Sequence, residues 1–302
     1  MRVGMIGLGA MGLPMARHLA DAGLLRAAWN RSRDKADALA AEAGVATPST
    51  LAELAAACNV VVICVSADGD LREVVAAMRP GLAAGTTVVD TSTVSPVTAR
   101  EIGADLAELG IGFVDAPLSG GVEGAAKGTL SVMAGGDSAD FERILPVLET
   151  FSARVTRMGP VGAGQATKAV NQVIVGGVAE AVCEALALSE KLNLPSERLL
   201  QVLGAGAAGS WFLQHRGKSM LEDRFERGFK LSLLLKDLKI VQALARELDI
   251  PMSGVDMAIR DYQQLVEAGD GDHDISGLIR LKRSPPAVIP GTGEQNTHKR
   301  DD

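Results

Sequence analysis

An α/β protein, with a doubly wound sheet followed by an all-helical domain, is predicted by three observations on the 302 residues. Short apolar runs of strand length alternate with longer helical runs through the first half. A glycine-rich turn, Gly7-Leu8-Gly9-Ala10-Met11-Gly12, separates the first strand from the first helix. Beyond Gly159-Pro160 the strand-like runs vanish and helical periodicity takes over.

Arg2 to Ile6 reads as a buried strand, and Leu13 to Ala22 as the helix after the turn. In that context G-x-G-x-x-G is a dinucleotide fingerprint, and the sheet is of Rossmann type. Gly7 permits the tight turn. Gly9 lets a pyrophosphate approach the backbone, and Gly12 lets helix and strand pack closely. The helix N-terminus then faces the phosphates. Leu8, Ala10 and Met11 complete the loop and count with it as cofactor positions. A glycine-rich turn that binds nothing is the competing reading.

Leu25 to Trp29 is the second strand. An NAD-preferring fold places an acid about 20 residues beyond the glycines to hold the ribose 2′-OH. Neutral Asn30 stands there, followed by Arg31, Ser32 and Arg33. A guanidinium and a hydroxyl suit a 2′-phosphate, so NADP(H) is expected over NAD(H), with NAD(H) possible. Solvated loop arginines are the alternative.

The pattern continues in order. Thr50 with Glu53 forms a capping box. Asn59 to Val65 and Thr86 to Asp90 are continuous apolar runs of the sort buried on both faces of a sheet. Ser95-Pro96 supplies an N-cap and first helical residue for a helix reaching about Leu109. Gly112 to Asp115, Leu130 to Ala134 and Arg154 to Met158 read as strands, with a helix over Ser138 to Thr150. A long helix then covers about Gly164 to Leu192. Shorter helices follow at 196–203, 211–221, 231–248 and 252–268. The organisation is therefore a nucleotide domain over 1–160, a helical substrate and oligomerisation domain over 161–283, and a tail over 284–302. Pro285, Pro286, Pro290 and mixed charge mark that tail as disordered.

Composition narrows the function classes. The formal net charge is −7 and no basic run stands out, which argues against nucleic acid. Cys58, Cys64 and Cys183 are separated within apolar runs, as small core residues are. His18, His215, His273 and His298 have no ligand spacing, so no metal is expected. The opening apolar residues are a strand rather than a signal peptide. The apolar stretch from Ala169 to Leu188 carries Asn171, Gln172, Glu180 and Glu184, and reads as a buried helix rather than a membrane span. These features point to the cytoplasm. So long an apolar helix in a small domain predicts a homodimer or homotetramer.

The chemistry is concentrated in two segments. Lys168 lies three and four residues ahead of Asn171 and Gln172, so all three share one helix face. A buried ammonium costs stability unless paired, and desolvation moves its pKa toward neutrality, which suits proton donation. Asp115-Ala-Pro-Leu-Ser119-Gly120-Gly121 leaves a strand C-terminus, where open α/β folds bind ligands. Ser119 offers a hydroxyl, and Gly120 and Gly121 expose N–H groups in a nest suited to a carboxylate. A plain Ser-Gly-Gly turn is the other reading. Trp211, after Ser210 and before Phe212, forms either an aromatic wall over the substrate or part of the core. Glu267 to Asp274, with His273, offers a weak metal site without ligand geometry, and reads better as a solvated acidic loop.

Taken together, Gly7–Gly12 through Met15, Asp115–Gly121, Gly164-Gln-Ala-Thr-Lys168 with Asn171-Gln172, and Lys236-Asp237-Leu238 resemble the β-hydroxyacid dehydrogenase family. That family includes 3-hydroxyisobutyrate dehydrogenases, tartronate semialdehyde reductases and glyoxylate/succinic semialdehyde reductases. The resemblance runs from Arg2 to about Leu281. Leu118 departs mildly from the family's Val or Met. By this resemblance Lys168 is the catalytic acid/base. Ser119, Gly120 and Gly121 hold the substrate carboxylate. Asn171, with Gln172, holds a substrate oxygen or orients Lys168. Val65, Ser66 and Thr93 contact the cofactor. Lys236 reaches toward the nicotinamide and active site, and Asp237 anchors its helix. Without the resemblance, Lys236 and Asp237 read as an exposed charged pair.

The expected activity is hydride transfer between a nicotinamide cofactor and a small carboxylate-bearing aldehyde or 3-hydroxy acid. NAD-linked oxidation of the 3-hydroxyisobutyrate type is the rival within enzymes. A catalytically silent dinucleotide-binding scaffold is the rival outside them. Imine reduction places a different residue where Lys168 stands.

Overall fold

The computed structural model describes residues 1–226 and 228–283. The disorder expected for 284–302 lies outside them. The N-terminal part is built from β1 (Val3–Ile6), α1 (Gly12–Asp21), β2 (Leu25–Trp29), α2 (Arg33–Ala43), α3 (Leu51–Ala57), β3 (Val60–Ile63), α4 (Asp68–Met78), β4 (Thr87–Asp90) and α5 (Pro96–Ala107). It continues with β5 (Gly112–Asp115), β6 (Leu118–Ser119), α6 (Gly121–Lys127), β7 (Leu130–Gly135), α7 (Ser138–Leu148) and β8 (Ser152–Gly159). The helical domain holds α8 (Ala163–Lys191), α9 (Ser196–Ala205), α10 (Trp211–Leu221), α11 (Leu231–Glu247), α12 (Ser253–Glu267) and α13 (Leu278–Arg283).

The strands lie in the order β2-β1-β3-β4-β5-β7-β6, with β8 also paired to β7. From β2 to β5 they are parallel. Their registers match: Ile6 faces Ile63, Ile63 faces Asp90, and Asp90 faces Asp115. Four strand C-termini therefore end on one line, the edge where open α/β sheets bind ligands. Apolar side chains cover both sheet faces, which is why β1, β3 and β4 are buried at every position.

Local signals read from the sequence recur here. Thr50 and Glu53 close the capping box at α3. The Ser95 hydroxyl accepts the Val97 N–H, and Pro96 opens α5. Two features go beyond the sequence reading. The sheet is mixed, because β7 runs antiparallel to β5 and β6, and β8 follows β7 in parallel. The segment 119–121 also joins two regular elements. Ser119 ends β6, and Gly120 is the N-cap of α6.

α8 is 29 residues long and apolar enough by composition to cross a membrane. In this fold it is the post around which α10, α11, α12 and α13 pack, burying Ala169, Ala179, Val182, Cys183 and Leu186. Gly176 lets α11 approach, since a Cβ there would stand 3.1 Å from Leu238 Cδ2. One face stays open: Val170 is 64% exposed, Ile174 63% and Leu188 60%.

Candidate active site

The glycine turn sits where β1 ends. Gly7 has φ +91°, and a Cβ on it would lie 2.1 Å from Cys64 O. A Cβ on Gly12 would lie 1.9 Å from Gly7 O. Those two glycines are therefore demanded by the protein's own packing. Gly9 is different, because a Cβ there would meet nothing within 4 Å. Its missing side chain leaves a cradle that only an outside group would fill. Met11 at the N-cap of α1 offers no side-chain acceptor to the first N–H groups, so they suit an anion. The residues present thus fit a dinucleotide pyrophosphate.

Asn30 buckles this turn to the next one. Its Oδ1 accepts the Leu8 N–H at 2.8 Å, and its Nδ2 donates to Ser32 O at 2.9 Å. Beyond it, the Arg31 side chain is 84% exposed, with Nη1 3.5 Å from Asp70 Oδ1. Ser32 starts α2, and its hydroxyl makes no cap bond. Arg33 is tied down by a bond to Thr47 O at 3.2 Å. The polar side chains near the surface at this corner are thus Arg31, paired with Asp70, and Ser32, which makes no cap bond.

The loops after β3 and β4 come next along the edge. Val65 is half-buried, and its N–H donates to Ser92 Oγ at 2.9 Å. Ser66 is exposed. The Thr93 carbonyl accepts the Lys236 ammonium from α11. Lys236 also lines a cleft of about 450 Å³ between α11 and the Asp68 and Ser95 turns. Its Nζ lies 3.0 Å from Asp237 Oδ1, and Asp237 is 3% exposed. An exposed surface pair does not describe these two residues.

Lys168 is on the second turn of α8, 7% exposed. Its Nζ donates to Leu118 O at 2.8 Å, one residue before Ser119. Burial pushes its pKa below the ordinary lysine value; Asp237 opposes that shift and Lys236 reinforces it. Gly120 and Gly121 follow with φ +130° and +64°, conformations that side chains rarely adopt. Ser119 is half-buried beside them.

Gln172 sits deeper than a substrate contact would. It is 1% exposed, its Nε2 donates to Asp237 Oδ2 at 2.6 Å, and its Oε1 accepts from Asn171 Nδ2 at 2.8 Å. A row Lys236–Asp237–Gln172–Asn171 therefore runs beside Lys168. Asn171 at one end of the row is half-buried, as is Lys236 at the other.

Trp211 is 50% exposed at the start of α10, so it is no core residue. It stacks on His215 at 4.2 Å, under Arg216, which bonds Glu123 of α6 at 2.6 Å. That bond ties α10 to the helix that Gly121 opens. The acidic loop is less solvated than its composition suggests. Asp274 is 1% exposed and accepts the N–H groups of Gly228, Phe229 and Ser276. Among the described residues, no group of three or more His, Cys, Asp or Glu side chains is gathered as a metal site would need.

Sequence reasoning assigned no role to three buried residues at this site. Asp90 and Asp115 are fully buried, and Gln165 is 1% exposed. Burial raises the Asp90 carboxyl to about 7 and pushes Asp115 up as well. The available signal was an aspartate ending each of two successive apolar strands.

Two family models match the chain in succession. Residues 2–159 match one described as the NAD binding domain of 6-phosphogluconate dehydrogenase. Residues 162–282 match one described as NAD-binding of NADP-dependent 3-hydroxyisobutyrate dehydrogenase. An uncharacterized oxidoreductase of Shewanella frigidimarina is 37% identical, over 94% of this chain and 99% of its own. The 2-hydroxy-3-oxopropionate reductase of Escherichia coli is 35% identical, over 93% of this chain and 96% of its own. The crystal structure of 3-hydroxyisobutyrate dehydrogenase from Salmonella typhimurium superposes with a TM-score of 0.84 at 30% identity, covering 93% and 99%. The chain belongs to the β-hydroxyacid dehydrogenase family and is an NAD(P)-dependent oxidoreductase.

Proposed function

We propose that the chain is an NADPH-preferring reductase of small carboxylate-bearing aldehydes, or in reverse a 3-hydroxy acid dehydrogenase, with Lys168 as general acid/base. The observation that carries this is the Lys168 ammonium, buried, of lowered pKa, and held by Leu118 O beside the Ser119-Gly120-Gly121 turn. When bound, the nicotinamide supplies the hydride. In reduction, Lys168 Nζ donates a proton to the alkoxide oxygen that forms. In oxidation, its neutral amine removes that proton. Ser119 and the N–H groups of Gly120 and Gly121 take the substrate carboxylate. Asn171 holds a substrate oxygen, and Gln172 orients Asn171 from behind. Lys236, fixed on Thr93 O and Asp237, stands at the cofactor side. Trp211 walls the far side of the substrate.

The preference for NADPH rests on Arg31 and the uncapped Ser32 hydroxyl at the N-terminus of α2, which match a 2′-phosphate. NAD-linked oxidation of the 3-hydroxyisobutyrate type is the second reading. Asp70 beside Arg31 favours it, because a carboxylate there competes with a phosphate. The exposed face of α8 at Val170, Ile174 and Leu188 supports association with a second copy.

The test is NADPH oxidation followed at 340 nm with glyoxylate and with succinic, tartronate and methylmalonate semialdehydes, each repeated with NADH. Turnover of one aldehyde acid with NADPH supports the proposal. Activity confined to NAD and 3-hydroxy acids selects the second reading. Inactivity in both directions leaves a silent dinucleotide-binding scaffold.

A further inference from the structure

Beneath Lys168 lies a buried polar network that takes no part in the proton transfer described above. Asp115 accepts the N–H groups of Gly162 at 2.7 Å and Gln165 at 2.8 Å, so it caps the first turn of α8. Gly164 makes that approach feasible, since a Cβ there would lie 2.4 Å from Met133 O and 2.6 Å from Asp115 O. The Gln165 side chain then leaves the helix and enters the loop after β4. Its Oε1 accepts the Val94 N–H at 3.2 Å. Its Nε2 donates to Ser92 O at 2.8 Å and stands 3.5 Å from Asp90 Oδ2. One donor on one side and two acceptors on the other fix which way the amide points.

These bonds bracket Thr93, the residue whose carbonyl takes Lys236. Ser92 carries the link further. Its N–H donates to Asp90 Oδ1 at 3.0 Å, and its Oγ accepts the Val65 N–H. The loops after β3 and β4 line the crevice where a dinucleotide lies across parallel strand ends. Both are tied through Gln165 to the helix turn that precedes Lys168.

We propose that Gln165 is a positioning residue. It holds the cofactor-facing loops at a set distance from Lys168 Nζ, so that hydride donor and proton donor address the same carbonyl. The proposal rests on the reading of Lys168 as acid/base. Alignment of this kind is sensitive, and a misplacement of about 1 Å costs roughly 10²-fold in rate.

The test uses the full chain with Gln165→Leu and Gln165→Glu. Leucine removes all three side-chain contacts. Glutamate accepts from Val94 N–H in either state, but it donates to Ser92 O only when protonated. Gln165→Leu is expected to lower kcat at least tenfold, to leave KM for NADPH within about threefold, and to enlarge the isotope effect with deuterated NADPH. The activity of Gln165→Glu relative to wild type is expected to rise as pH falls. A second readout needs no turnover. Adding NADPH to wild type should slow hydrogen exchange in both 91–97 and 162–168, whereas in Gln165→Leu it should slow only 91–97. Wild-type kcat in Gln165→Leu together with joint protection of both segments overturns the proposal. If Gln165→Leu does not fold, a Gln165→Glu activity ratio that is flat with pH overturns it. If wild type turns over no aldehyde acid, the function reading fails by itself, and the exchange comparison still decides the coupling.

Discussion

Replacing Lys168 with methionine should separate catalysis from stability. The side chains are similar in length, so the buried slot on α8 stays filled. The lost group is an ammonium only 7% exposed, with Leu118 O as its hydrogen-bond acceptor. General acid help of this kind is worth roughly 10²–10⁴-fold, which is about 2.7–5.4 kcal/mol of barrier at about 1.36 kcal/mol per tenfold. Stability should move the other way or not at all. A buried ammonium carries a desolvation cost that an apolar group of like volume does not. Asp237 also keeps Lys236 at 3.0 Å after the exchange. The expected result is a kcat lower by about 10²–10⁴-fold, unchanged NADPH affinity by fluorescence titration, and a Tm equal to or above wild type. A kcat within threefold of wild type would refute the acid/base assignment. A collapse in Tm would refute the claim that the ammonium is a cost to the fold.

Other outcomes follow from the same geometry. Because burial lowers the Lys168 pKa, kcat for reduction should fall as pH rises through that pKa, while kcat for oxidation should rise. Both limbs should vanish in Lys168→Met, and their survival would assign them to another group. Gly12→Ala should fail to fold or lose several degrees of Tm, since its Cβ meets Gly7 O at 1.9 Å. Gly9→Ala should fold like wild type and bind NADPH at least tenfold more weakly, so unchanged binding would leave the cradle without a role. Arg31→Asp should swing the kcat/KM ratio toward NADH, and an unmoved ratio counts against the 2′-phosphate contact. Paired Val170→Asp and Ile174→Asp changes should reduce the assembly state measured by light scattering, and an unchanged mass would free that α8 face for another partner.

Much of this site was legible in the linear chain because its chemistry is local. The spacing of Gly7, Gly9 and Gly12 between a strand and a helix carries its meaning within a few residues. So does the shared face of Lys168 and Asn171, because helical geometry alone brings i and i+3 together. The capping residues Thr50 and Ser95 act over one turn. Asparagine at 30 could be read as lacking an acid's charge, but not as the clasp on Leu8 N–H, which depends on how two turns meet.

Register and docking decided the rest. Asp90 and Asp115 are 25 positions apart and become neighbours only because β4 and β5 pair in parallel at matching strand ends. Gln172 reaches Asp237 across 65 positions, and Lys236 reaches Thr93 across 143, when α8 and α11 dock on the sheet edge. No periodicity encodes those separations. The glycine turn, the shared helix face of Lys168 and Asn171 and most of the strand positions were therefore legible in the sequence alone, through steric rules that act over one or two turns. Which carboxylate caps α8, where Gln165 and Gln172 point, and the reversal of β7 were settled by tertiary structure, because buried polar groups must find partners wherever packing brings them.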